Sequence, residues 1–343
     1  MYDVDSLTIF YPIDMINVTE PTTPLNNADQ GGSFYSFKEK FKLDPENNKP
    51  NIKPPTTFQE QLTLYKSRNL HIENSENAEK ILQRINYYRL TAYGLTLKNP
   101  LNKDQYLDGS SFDNLYSLYE FDRKLRLLLM GVLETIEIAF RTHISYEIAH
   151  KFGPLGYKDK GNFLNEKFHQ DSLDELDTFI KKSRKGELFI EHHYKKYDGN
   201  LPIWVAMEIT SFGYISKFYR NLNEDVKKRI AKIYYNVPYP YLESWLQTLS
   251  NVRNVCAHYG RLYNKKLTFK PRLFREEFKE LDNRFTYAAI YITQRLLTKT
   301  DGNRFITDLD ALISEYEENI DFSHIGFPAN WKDLLIKTNN KKK

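Results

Sequence analysis

Hydrophobic residues recur at three- and four-residue intervals along most of the chain, and this periodicity predicts helices. The longest such run covers residues 112–150, and no proline interrupts it before the sequence FGPLG. Its apolar stripe consists of Leu115, Leu118, Leu125, Leu129, Val132, Ile136 and Phe140. Such a stripe predicts one long helix that faces the core. Strand-like alternation is confined to short pieces such as LTIFYPI, so the pattern predicts an all-α fold.

Shorter helical runs lie on both sides of this helix. The pattern becomes helical near residue 56, and later runs open at Pro202 and Pro240, because proline is favoured in the first turn of a helix. Further runs are DVKKRIAKIYY, FTYAAIYITQRLL and FITDLDALISEY. We detect no internal repeat, and we predict one helical domain over residues 58–338.

The two ends of the chain differ from this domain. Residues 17–57 are dense in Pro, Asn, Gly and Thr and carry no sustained apolar period, so we predict an extended or poorly ordered arm over residues 1–57. Such an arm can also wrap a partner. Residues 339–343, NNKKK, are predicted to form a basic tail.

Composition is that of a globular protein, because hydrophobic residues make up 41% and aromatic residues 15% of the 343 positions. The net charge of +4 does not demand nucleic acid as a partner, so a local basic surface would have to supply such affinity. The single cysteine excludes an intramolecular disulfide framework and a cysteine-based zinc cage. The chain has no basic leader and no run near the ~18 apolar residues that span a bilayer, so we expect a cytoplasmic protein without membrane contact.

The run that opens at Pro240 ends in the sequence SNVRNVCAHYGRLYN, residues 250–264. At 100° per residue, one arc of a helix there would carry the apolar side chains and face the core. The members of this arc are Leu242, Trp245, Leu249, Val252, Cys256 and Tyr259. Arg253, Asn254 and His258 fall on its flank, where they can line a cleft.

These three polar residues fit the needs of metal-independent RNA cleavage. The Asn254 amide, four residues from His258, is placed to hold one imidazole nitrogen, and the Arg253 guanidinium can bind phosphate oxygens. An imidazole can transfer the protons of the attacking 2′-hydroxyl and the leaving 5′-oxygen. For the motif alone, a chance pairing and the capping of a helix C-terminus by Arg and His stay open as alternatives.

Three blocks of the sequence resemble, in this order, the Abi-like abortive-infection family: LYEFDRKLRLLLMGVLETIEIAFRTHISYEIAHKFG, PIWVAMEITSFGYISKFYRNL and LESWLQTLSNVRNVCAHYGRLYN. The upstream ILQRINYYRLTAYG is similar to the usual opening of that family, so the resemblance covers roughly residues 58–265. The family belongs to the HEPN superfamily of all-helical RNases and RNA-binding proteins. The HEPN signature Arg-x(4–6)-His corresponds here to Arg253 and His258, with Asn254 after the arginine.

The resemblance implies an all-α, HEPN-type helical bundle with additional helices. Family members are implicated in phage defence by RNA cleavage and in toxin–antitoxin pairs, and they resemble the nuclease halves of type VI CRISPR effectors. For this chain that implies a metal-independent endoribonuclease toxin, restrained by a structured non-coding RNA, with Arg253, Asn254 and His258 as catalytic residues. Many relatives have a second histidine where this chain has Tyr259, a difference that matters only if that position transfers protons.

Partners follow from the same resemblance. RNA is the expected substrate, and a homodimer is expected because this chain has one Arg-x(4–6)-His pair whereas HEPN nucleases commonly combine two. A catalytically silent RNA-binding module and a scaffold of a defence complex are the alternative functions.

A polar stripe runs along the predicted long helix. Asp122 and Arg126 are four residues apart, as are Glu137 and Arg141, and all four lie within about 100° of one another around the axis. Against the motif helix, this stripe would orient Arg253 or receive RNA phosphates. Structural ion pairs explain the same pattern equally well.

A basic segment follows the motif. Its charged residues are Arg261, Lys265, Lys266, Lys270, Arg272 and Arg275. Tyr263, Phe269 and Phe274 lie among them, which predicts a surface that binds phosphates and stacks on bases. A solvated run of charges is the alternative.

Two histidine clusters have the spacing of metal ligands. His143, Glu147 and His150 share a helix face, and residues 191–193, Glu-His-His, lie in a segment that we predict to be a loop. Neither cluster has a recognisable completing ligand, and the glycines form no nucleotide-binding fingerprint. We therefore predict no metal and no cofactor.

Overall fold

The computed structural model describes residues 53–340, and within them thirteen α-helices form the fold without a β-sheet. The predicted all-α class is confirmed. Residues 1–52 of the predicted arm and residues 341–343 of the predicted basic tail lie outside the described residues. No helix between residues 53 and 340 is long and apolar enough to cross a bilayer.

The helices follow one another with short connections, several of which contain a 3₁₀ turn. They are α1 (Phe58–Ser67), α2 (Ser75–Leu82), α3 (Tyr87–Tyr93), α4 (Phe112–Phe152), α5 (Glu166–Ser183), α6 (Leu188–Lys196), α7 (Ile203–Ala206), α8 (Phe212–Asn221), α9 (Glu224–Ile230), α10 (Tyr239–Ala257), α11 (Thr286–Leu296), α12 (Lys299–Tyr316) and α13 (Trp331–Asn340). A π-helical turn, Ala231–Tyr235, continues α9.

Helix α4 is the central element, and it confirms the long core helix predicted from the sequence. It starts with a capping box in which Ser111 and Asn114 exchange hydrogen bonds, and it stops at Gly153, whose φ of +82° suits glycine. Its 41 residues span about 60 Å, and its apolar positions are fully buried at Leu129 and Leu133. The helices packed against it are α3, α7, α8, α9, α10, α11 and α12.

Helix α10 carries the Arg253 motif and packs on α4 and α8. Pro240 lies in its first turn, as predicted. The predicted apolar arc is buried from Leu242 to Cys256, but the prediction for Tyr259 is wrong. The helix ends at Ala257, and Tyr259 takes a left-handed conformation that turns its side chain out to solvent.

Two further predictions of local structure are corrected. The run that opens at Pro202 is not one helix, because a 3₁₀ turn follows α7 and Ser211 then caps α8 by accepting a hydrogen bond from the backbone N–H of Tyr214. Residues 191–193, predicted as a loop, lie in α6. That helix is short and strongly polar, so its apolar period is weak.

The central position of α4 predicts a contrast between two leucines on the same helix. Leu133→Ala should lower the free energy of unfolding by about 2–5 kcal/mol, because it leaves a cavity in a fully buried site. Leu127→Ala is the matched control: Leu127 is 60% exposed, so the change should stay within about 0.5 kcal/mol. Urea denaturation followed by circular dichroism measures both, and equal losses would contradict a core built on this face of α4.

Candidate functional site

The three motif residues come together at the C-terminal end of α10. Asn254 and His258 are exposed, and Arg253 is half-buried beside them. His258 is the residue that ends the helix, and its backbone N–H donates to the Asn254 carbonyl oxygen at 3.0 Å. The motif therefore presents a guanidinium, an amide and an imidazole at one place on the surface.

The predicted contact between Asn254 and the imidazole is not formed. Asn254 Oδ1 instead accepts a hydrogen bond from Arg253 Nη1 at 3.2 Å. Within residues 53–340, the His258 side chain has no hydrogen-bond partner. The exposed imidazole is thus free to bind a ligand.

Arg253 forms an ion pair with Glu137 of α4. The carboxylate oxygen Oε2 of Glu137 lies 3.5 Å from Arg253 Nε, and its Oε1 accepts a hydrogen bond from Arg141 Nη2 at 2.6 Å. Arg141 also donates to the Thr210 carbonyl oxygen, which fixes its guanidinium. Burial raises the pKa of Glu137, while the two arginines act to lower it. The structure therefore brings Glu137, Arg141 and Arg253 together, in the arrangement that would orient Arg253.

The other pair of the polar stripe, Asp122 and Arg126, is buried under the loop that follows α10. Asp122 is 0% exposed and pairs with Arg126 Nη1. Tyr93 Oη donates to Asp122 Oδ2 at 2.7 Å. The backbone N–H groups of Leu262 and Tyr263 donate to Asp122 Oδ1 at 3.0 and 2.8 Å. This pair is structural, because a buried carboxylate needs these donors and has no face left for RNA.

Helix α3 also holds this loop, a contribution that periodicity alone did not reveal. Arg89 Nη1 donates to the Tyr259 carbonyl oxygen at 2.7 Å, and Arg126 Nη1 lies 3.4 Å from the Gly260 carbonyl oxygen. Arg261 donates in return to the Ala92 carbonyl oxygen of α3. The signal in the sequence was the block ILQRINYYRLTAYG, which contains Arg89 but gives no indication of the partner.

The basic segment after the motif is mostly exposed, and the aromatic part of its prediction is corrected. Its exposed charges are Lys265, Lys266, Lys270, Arg272 and Arg275. Tyr263 is buried and donates to the Asp321 carbonyl oxygen, so it cannot stack on a base. Phe274 is stacked on Tyr241 with ring centroids 4.2 Å apart, which leaves Phe269 as the exposed ring of this segment.

His143 and Glu147 of the first histidine cluster are engaged in protein contacts. His143 stacks on Tyr234 at 3.8 Å between ring centroids, and its Nδ1 is 2.8 Å from Tyr235 Oη. Burial lowers the pKa of His143 to about 4. Glu147 accepts from Tyr234 Oη at 2.9 Å and pairs with Arg229. In the part of the chain that the structure describes, no three metal-ligating side chains converge.

Comparison with known proteins identifies the family. The model of the family described as Abi-like protein matches residues 80–264, more than half of the chain. This chain belongs to the Abi-like family. The matched range contains α3, α4 and α10, and with them Arg253, Asn254, His258 and Glu137. The family is associated with abortive infection, the defence of bacteria against phage. Comparison of this Abi-like protein with curated proteins and with solved structures gives no match.

The buried pair under the loop predicts a large stability effect. Asp122→Asn should lower the free energy of unfolding by about 3–5 kcal/mol, because it leaves the Arg126 guanidinium buried without a counter-charge. Glu76→Gln is the matched control, since Glu76 also pairs with a residue four positions away, Lys80, but in full exposure, so little change is expected. Urea denaturation of both variants measures the free energy of unfolding. A small decrease for Asp122→Asn would show that the ion pair does not stabilise the loop.

Proposed function

We propose that this Abi-like protein is a metal-independent endoribonuclease of the HEPN type that acts in phage defence. The observation that carries the proposal is the pairing of an open imidazole, His258, with a guanidinium, Arg253, that buried Glu137 holds in place. The spacing between Arg253 and His258 in the sequence matches the Arg-x(4–6)-His signature. A fixed cation next to an imidazole that can accept and donate protons provides both requirements of phosphodiester cleavage without a metal.

In this mechanism the RNA supplies its own nucleophile. An imidazole takes the proton of the 2′-hydroxyl, the 2′-oxygen forms a bond to the adjacent phosphorus, and the bond from phosphorus to the 5′-oxygen breaks. A second proton transfer neutralises the leaving 5′-oxygen, so the products are a 2′,3′-cyclic phosphate and a 5′-hydroxyl. Arg253 stabilises the charge that builds on the non-bridging oxygens.

The two proton transfers suggest a homodimer. Each chain offers one Arg253–His258 pair, and a two-fold axis at the end of α10 would place two imidazoles at one phosphate, one as base and one as acid. The exposure of Asn254 and His258 leaves them free to face a second copy. Two Arg253 side chains would then repel each other until an RNA phosphate lies between them.

Binding of RNA is supported separately by the exposed lysines and arginines after the motif. These side chains can form the local basic surface that the net charge of +4 does not provide. A toxin of this kind requires restraint, and we propose that a structured RNA bound to the same basic surface supplies it. A silent RNA-binding module would bind through these residues without cleaving.

Substitution of the motif tests the catalytic role. His258→Ala should lower the cleavage rate of labelled RNA in EDTA by about 10²- to 10⁴-fold and should leave the helical content unchanged, because the imidazole is exposed. Arg253→Lys should recover only part of the activity lost in Arg253→Ala, since an ammonium cannot make a planar two-pronged contact. His150→Ala, an exposed histidine on α4, is the control expected to cut at the wild-type rate. Cleavage by His258→Ala at the wild-type rate would refute this role.

Mixing two impaired variants tests the composite site. His258→Ala chains and Arg253→Ala chains, each strongly impaired alone, should regain part of the activity when subunits exchange, because a mixed dimer again contains one imidazole and one guanidinium. The activity should depend on the mixing ratio. Sedimentation with bound RNA gives the oligomeric state in parallel. A monomer that cleaves RNA, together with no recovery on mixing, would exclude the composite site and require a second catalytic group within one chain.

A further inference from the structure

Two exposed tyrosines lie on the two elements that meet at the end of the motif. Tyr259 follows His258 directly and is 70% exposed, and Tyr88, in the first turn of α3, is 75% exposed. Arg89, the neighbour of Tyr88, donates to the Tyr259 carbonyl oxygen at 2.7 Å. That hydrogen bond holds the first turn of α3, which carries Tyr88, against the residue that follows His258.

The backbone at Tyr259 has a conformation that a bulky residue seldom adopts. Its φ of +58° is the left-handed conformation that usually falls to glycine or asparagine just after a helix. Glycine stands one position later instead, where a Cβ at Gly260 would lie 2.9 Å from Val255 Cγ1. The chain thus keeps a large aromatic ring at a position where a small residue would fold more easily. An exposed ring at a strained backbone points to a ligand.

The positive charge near these tyrosines indicates an anionic ligand. Residues 81–103 contain four basic residues (Arg84, Arg89, Lys98 and Lys103) and no Asp or Glu. Residues 244–275 contain seven (Arg253, Arg261, Lys265, Lys266, Lys270, Arg272 and Arg275) and again no Asp or Glu. The two segments meet where Arg89 contacts Tyr259 and Arg261 contacts Ala92. Tyrosines between two acid-free segments fit a polyanion that carries flat rings, which is a nucleic acid.

We propose that Tyr88, Arg89 and Tyr259 form a subsite for an unpaired nucleotide next to the phosphate that Arg253 holds. The faces of the tyrosine rings stack on bases that are splayed out of a strand, whereas bases inside a duplex are not accessible to them. Arg89 keeps Tyr259 in place through its carbonyl oxygen. The substrate class is therefore RNA that is single-stranded at the cleaved bond. This subsite rests on the proposed function, because its position is defined relative to the catalytic motif.

The test measures binding without cleavage. In chains that carry His258→Ala, fluorescence anisotropy compares a fluorescein-labelled single-stranded RNA of mixed sequence with the same strand in a perfect duplex. Tyr88→Ala and Tyr259→Ala should each weaken binding of the single strand about tenfold and binding of the duplex less than twofold. Tyr88→Phe and Tyr259→Phe should stay within about twofold of the parent, because stacking needs the ring and not the hydroxyl.

Two controls distinguish loss of the aromatic ring from a change in the loop backbone and from the loss of an exposed tyrosine elsewhere. Tyr259→Gly suits the left-handed backbone, so it should leave Tm unchanged or raise it while weakening single-strand binding as much as Tyr259→Ala does. Tyr197→Ala removes an exposed tyrosine at the end of α6 and should leave binding unchanged.

Equal losses for single strand and duplex, or no loss in either tyrosine variant, would overturn the subsite. A change in self-association without a change in RNA affinity would also overturn it and would assign these tyrosines to an interface between two copies. Cleavage of RNA by the wild-type chain in EDTA, measured in parallel, reports on the proposed function by itself. Wild-type cleavage with unaffected tyrosine variants leaves that function standing and removes the subsite alone.

Discussion

The buried carboxylate of Asp122 connects the parts of the chain that form the candidate site. It belongs to α4, it accepts a hydrogen bond from Tyr93 of α3, and it accepts two more from the backbone of the loop after α10. A charge at 0% exposure is tolerated only when it is paired and its oxygens are satisfied, and Arg126 completes this set. Any displacement of the loop leaves the carboxylate short of donors. The position of His258 therefore depends on a residue that never reaches the surface.

Helix α4 fixes the site at two separate points. Asp122 holds the loop that follows His258, and Glu137, fifteen residues and about 22 Å further along the axis, holds the guanidinium of Arg253. Because both anchors lie on one helix that is packed into the core, the spacing between the cation and the imidazole is set by a rigid element. The same helix supplies the buried leucines, so the stability of the core and the geometry of the site have a common origin.

The sequence predicted what local periodicity determines. The extent of α4, the buried face of α10 and the two ion pairs four residues apart follow from helical spacing. The contact between Arg89 and Tyr259 joins residues 170 positions apart, and no local pattern contains it. A helical wheel places Tyr259 in the core because it assumes that the helix continues, whereas α10 ends at Ala257. The interruption before α8 was missed because Ser211, a capping residue, lies within an otherwise continuous apolar period.

Cys256, the single cysteine of the chain, lies on the buried face of α10 two residues before His258. Burial raises the pKa of its thiol to about 12, so the folded protein presents no reactive thiolate at neutral pH. A thiol reagent can therefore modify this residue readily only when the packing around the end of α10 opens. The rate at which Cys256 is labelled therefore reports how often this part of the protein opens. The chain thus contains a natural probe for motion of the helix that carries Arg253 and His258.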